Sequence, residues 1–117
     1  MTQTDRIHAL GYLVAHEINL ENLKEDKNNI FLMREGSEIL SASIEIIERA
    51  HAGTIDVGFD FSSDFLLNDI DLTTEEVHKS KVETRLKQDS MLTIETSQRM
   101  GRIKVRVLYF TSGTIYS

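Results

Sequence analysis

The chain has 117 residues, enough for one domain with one core and too few for two. A net charge of −6 and a pI near 5.1 exclude the basic stripe of a default nucleic-acid binder and argue against docking on anionic lipid. With no cysteine there is no disulfide or thiolate chemistry, and no apolar run is long enough to cross a membrane.

The N-terminal stretch MTQTDRIHALGYLVAHEINLEN lacks the basic start of a secretory signal and is read as part of the working protein. Within it, LGYLVAHEINL mixes a two-residue and a helical period, so a strand or an extended arm both fit. NIFLMRE is a short apolar run between polar stretches, the pattern of a strand. In SASIEIIERA, Ala42, Ile44 and Ile46 alternate with Ser43 and Glu45, which favours a strand over the helix face that Ile39, Ser43 and Ile47 would make. In AGTIDVGFDF, Ile55, Val57 and Phe59 share one face opposite Asp56, Gly58 and Asp60.

The next stretch is an acidic corner with an apolar clump, DFLLND. Phe65, Leu66 and Leu67 sit between turn-forming acids, and exposed apolar side chains on a loop mark a protein partner. Asp60, Asp64, Asp69 and Asp71 offer the oxygens that Ca²⁺ prefers, but not at EF-hand spacing. Asp and Ser in such a run more commonly build turns, so no metal ligand is assigned. TTEEVHKSKVETRLKQDS is the main helical candidate. Thr73 and Glu76 have capping-box spacing, although Val77, Val82 and Leu86 make a sparse stripe, and a polar loop is the other reading.

The C-terminal pattern is the clearest. In GRIKVRVLYF, Ile103, Val105, Val107 and Tyr109 fall on one side and Lys104, Arg106, Leu108 and Phe110 on the other. The second side starts charged and ends apolar, so it passes from solvent into a contact. Together with MLTIETSQRM it reads as a hairpin looping near Ser97–Gly101. The cluster Arg99, Arg102, Lys104 and Arg106 is the solvated face of a sheet or a contact for an acidic neighbour.

No reactive constellation emerges. His8, His16, His51 and His78 lack metal-site spacing, and His51 lies between two alanines, a setting that suits an interface. No nucleophile elbow, P-loop or dinucleotide fingerprint is present. No catalytic residue, metal or cofactor is therefore expected. The strand spacing predicts a mainly β fold: an antiparallel β-sandwich or jelly-roll-like domain, with an extended N-terminal segment and at most one short helix. Residues 1–37 would form an arm or the first strands, and 38–117 the β-rich body of what is a single domain overall.

The stretch ILSASIEIIERAHAGTIDVGFDFSSDFLLNDIDLTT resembles small structural proteins of tailed bacteriophages. The counterparts are Gly53, Thr54, Asp56, Val57 and Gly58, then Asp64, Phe65, Leu66, Asp69, Asp71, Leu72 and Thr73, and finally the strand GRIKVRVLYF. The resemblance runs from about Ile39 to Phe110 and points to head decoration (cement) proteins. It implies a non-enzymatic virion component, assembled in the host cytoplasm, that binds the major capsid protein as a homo-oligomer, a trimer. Neither nucleic acid nor membrane would be a partner. Phe65, Leu66, Leu67, Leu108 and Phe110 are the expected contact residues. A carbohydrate- or calcium-binding β-sandwich module and a tail-tube or head-completion subunit are the alternatives.

Overall fold

The computed structural model describes residues 7–114. Among these residues, nine strands make two antiparallel sheets: β1 (Ile7–Asn19), β2 (Lys27–Met33), β3 (Glu38–Glu48), β4 (Thr54–Phe59), β5 (Ser62–Asp71), β6 (Val77–Lys79), β7 (Thr84–Arg85), β8 (Ser90–Glu95) and β9 (Arg102–Thr114). One 3-10 turn, Leu20–Asn22, follows β1, with the Asn19 side chain accepting from the Glu21 N–H. The first sheet runs β1-β9-β3-β6, with β7 also on β3, and the second runs β2-β8-β4-β5. Counting the interrupted β6 and β7 as one, β1 pairs with β9, β2 with β8, β3 with β6 and β7, and β4 with β5. That is one long hairpin rolled over on itself, a jelly roll. The mainly β sandwich expected from the sequence is the fold observed.

Alternation decides what goes inside. Ile103, Val105, Val107 and Tyr109 of β9 are buried, as are Ala42, Ile44 and Ile46 of β3 and Ile55, Val57 and Phe59 of β4. Leu20 and Met33 from the first third of the chain join the same core, along with Leu72, Leu92 and Ile94. Each fully buried Leu, Ile or Phe contributes about 1.5–3 kcal/mol relative to exposure.

Two local readings, the helical one for 73–90 and the hairpin for 91–110, are corrected. Residues 73–90 form no helix: Thr73 does not cap one, because its N–H and hydroxyl both donate to the Asp71 carboxylate, at 2.8 and 2.6 Å. The chain then runs along β3 as the short strands β6 and β7, and Leu86 alone of its sparse apolar stripe is fully enclosed. Likewise, β8 and β9 are not a hairpin. They lie in opposite sheets, and the 96–101 link crosses between them. Thr96 Oγ1 donates to the Thr54 carbonyl (2.8 Å) and the Leu20 N–H to the Gly101 carbonyl (2.9 Å), which ties the link to both layers. Alternation states which face is inside, but not which strand lies alongside.

The antiparallel registers fix two ends. The connections 20–26, 49–53, 72–76 and 96–101 lie at one end. The connections 34–37, 60–61 and 86–89 lie at the other, and there the β1–β9 ribbon also runs on past the start of β3. The molecule is accordingly long, 59 × 23 × 20 Å.

Candidate functional site

The two ends differ in chemistry. Among the described residues, the large hydrophobic side chains left exposed are Tyr12, Leu13, Leu32, Leu40, Phe61 and Val77. All but Val77 belong to the ribbon end. The opposite end carries Glu21, Glu25, Asp26, Glu75 and Glu76 against Lys24, Arg49 and Arg99, all exposed. Exposed apolar side chains gathered in one region mark a contact surface, whereas scattered ones do not.

The densest group lies on the outer face of the first sheet. In register, Leu13 of β1 faces Leu108 of β9, which faces Ser41 of β3. The β3 register slips between Ile39 and Ser41. The extra residue, Leu40, is thereby turned out to 41% exposure, beside the 63% of Leu13. One step further, the Phe110 ring lies over Gly11, where an added Cβ would sit 2.7 Å from the Phe110 Cε1. Leu108 and Phe110 are half-buried by these neighbours. Toward the acidic end the same face turns polar. Arg106 meets Glu45 at 2.8 Å and Arg102 meets Glu48 at 2.6 Å, while Lys104 lies between Glu17 and Glu45 in register. Three of the four basic side chains are thus ion-paired, Arg102 and Arg106 within their own sheet and Arg99 with Asp26 at 3.1 Å.

The inner side of the ribbon is aromatic. Tyr12 stacks on Tyr109 at 5.4 Å, and Phe31 tilts against Tyr109 at 6.2 Å. Burial, with Tyr12 close by, raises the Tyr109 phenol above its ordinary value.

A second apolar feature occupies the same end on the other sheet. Phe59, Phe61 and Phe65 form an aromatic cluster, with Phe65 edge-on to Phe59 at 6.0 Å and to Phe61 at 5.1 Å. Phe61 and Phe65 line an open cleft of about 350 Å³ together with Leu86, Arg85 and Lys87.

The expected contact residues therefore separate into three places. Leu108 and Phe110 belong to the outer face of the first sheet. Phe65 belongs to the aromatic cleft. Leu66 and Leu67, at 5% and 7% exposure, point into the core. Sequence reasoning missed Tyr12, Leu13, Leu40 and Phe61. The alternation in GYLVA signals Leu13, but the slip that turns Leu40 out leaves no mark in a single sequence.

The polar candidates have mostly local roles. Asp71 holds Thr73, Asp56 accepts the Asp69 N–H at 2.7 Å, and Asp64 accepts the Ser62 hydroxyl at 3.1 Å. His16 and His51 are exposed, and half-buried His78 lies 4.0 Å from Glu76. His8 holds a register position opposite Gly113. Among the described residues, no three carboxylate or imidazole groups converge as metal ligands would.

No family model and no curated protein matches the chain. Solved structures do. A chain of the acidic stable capsid structure of Helicobacter pylori bacteriophage KHP30 aligns with 96% of this chain and 100% of its own length, with a TM-score of 0.71 and 17% identity. A chain of the cyanophage Pam1 capsid asymmetric unit aligns with 92% of this chain and 86% of its own, with a TM-score of 0.60 and 14% identity. At these identities the likeness is one of fold.

Proposed function

We propose that this protein is a non-enzymatic virion structural protein: a cement, or decoration, subunit that binds the outside of a phage capsid and stabilises it. Its partner is the major capsid protein, and it acts as a homo-oligomer, a trimer, assembled in the host cytoplasm. The observation that carries the reading is the graded outer face of the first sheet, apolar at Leu13, Leu40, Leu108 and Phe110 and ion-paired beyond. A jelly roll with such a face has a surface to dock and a polar remainder to show to water. The two capsid structures, whose chains share this fold over nearly their whole length, support the same reading.

Phe65 and Phe61 at the cleft supply a second contact on the same end. Many modest contacts of this kind sum by avidity over a lattice of repeated sites. Capsids assembled without the protein provide the test. Purified protein should co-sediment with them and raise the temperature at which they come apart. A protein that stays in the supernatant would end the cement assignment.

A further inference from the structure

A sheet edge offers unpaired N–H and C=O groups to any extended strand, and proteins blunt such edges with charge, brevity or bulges. Three of the four edges here are blunted. β5 carries Asp64, Asp69 and Asp71, and its register with β4 slips twice. β2 is seven residues long, begins with Lys27 and has a register slip of its own. On the β3 side the edge is broken into strands of three and two residues, β6 and β7, with Lys79 and Arg85 among them.

β1 is neither short nor bulged, and it carries one acidic side chain. It is thirteen residues long, pairs with β9 without a register slip, and contains no Lys, Arg or Pro. Its single carboxylate is Glu17. Among the described residues nothing pairs with its outer side.

We infer that the free edge of β1 is an assembly edge that pairs, antiparallel, with β1 of a second copy of this chain, a two-fold contact that links one trimer to the next. The second copy is the fitting occupant because it brings the one other edge of equal length, regularity and lack of charge. The chain's remaining edges are blunted against this use. A two-fold axis perpendicular to the sheet and passing beside Leu13 sets Leu13 against itself, Tyr12 against Val14 and Ala15 against Gly11. Glu17 then falls opposite Ala9, so no like charges meet. Aliphatic and aromatic cross-strand pairs of this kind stabilise a sheet, and like charges directly opposite destabilise it. An axis in that direction turns the same sheet face of both copies to one side. The contact is therefore compatible with attachment through the outer face, but it does not depend on it.

The test exploits the self-opposition of Leu13. Sedimentation velocity of the full chain should show self-association, and hydrogen exchange should show slow amides along β1. Leu13→Glu and Leu13→Lys, each alone, set like charges face to face. Each should weaken the association roughly tenfold and speed exchange in β1. Mixing the two in equal amounts should restore it, because Glu then faces Lys. Capsid co-sedimentation of the wild type is measured separately, so failure of the capsid reading is distinguishable from failure of this one. The inference is overturned if the mixture gains nothing over either variant, or if wild-type β1 amides exchange as fast as those of Leu13→Glu.

Discussion

The Asp71 carboxylate accepts two hydrogen bonds from Thr73, and these hold its pKa below the ordinary value of 3.8. A carboxyl held low in the fold contributes stability that is complete above its unfolded pKa and is lost as pH falls through the folded value. Asp56 goes the other way. Burial outweighs the hydrogen bond from the Asp69 N–H and raises the pKa, with Asp69, Asp64 and Glu95 adding to the rise. Its contribution is complete below the ordinary value and is lost as pH rises through the raised one. Urea midpoints measured between about pH 3 and pH 7 should separate the two. Asp71→Asn should be less stable than wild type at neutral pH and converge with it in acid. Asp56→Asn should gain on wild type as pH rises above the ordinary carboxyl range. Both amides keep an acceptor oxygen, so parallel pH curves for all three proteins would refute the assignment. At the same scale, Leu66 and Leu67 show why DFLL misleads. Alternation puts neighbours on opposite faces, but β5 slips against β4 between the Val57–Leu67 and Phe59–Ser62 pairs, and both leucines end up inside. Leu66→Ala should therefore cost about 2–5 kcal/mol in urea unfolding, the range for a core leucine; a cost near zero would place Leu66 on the surface.

Period-two patterning made the strands legible. β3, β4, β8 and β9 lie where Ala42–Ile46, Ile55–Phe59, Met91–Thr96 and Ile103–Phe110 alternate. What alternation does not encode is the neighbour of each strand. The expected 91–110 hairpin is instead a crossing between layers, and the stretch 73–90, which reads as a short helix or a polar loop, is a broken edge. Thr73 and Glu76 hold capping-box spacing, yet the nearer Asp71 carboxylate takes the Thr73 donors, and a local turn wins over helix initiation. The crossing itself depends on Gly101. Its φ is +92°, and a Cβ there would collide with the Glu48 carbonyl oxygen at the end of β3. Gly36 has a similar φ of +88° with nothing within 4 Å of an added Cβ. Gly36→Ala should then cost only the left-handed backbone strain, about 1–2 kcal/mol. Gly101→Ala should cost clearly more and should loosen the Leu20 N–H bond to the Gly101 carbonyl, seen as faster exchange at Leu20. Equal losses for the two would mean that the crossing tolerates displacement.

Over the whole molecule, all but one of the large exposed hydrophobic side chains among the described residues lie toward one end of the 59 Å axis, and this bears on what force would hold the protein to a capsid. Were the acidic end the docking surface, attachment would be Coulombic and would weaken as salt shortens the screening length from about 14 Å near 0.05 M to about 4 Å near 0.5 M. Docking through Leu13, Leu40, Leu108 and Phe110 is driven by removing apolar area from water. That force survives added NaCl and strengthens in sulfate, which is excluded from protein surfaces. Retention on capsids should therefore be nearly constant across that NaCl range and rise in ammonium sulfate. Leu108→Ser and Phe110→Ser should lower it in every buffer while leaving the melting temperature within a few degrees, because neither side chain belongs to the buried core. Retention that falls steeply with NaCl and ignores the two serine variants would move the docking surface to the acidic end and leave the apolar face to contacts between copies of this chain.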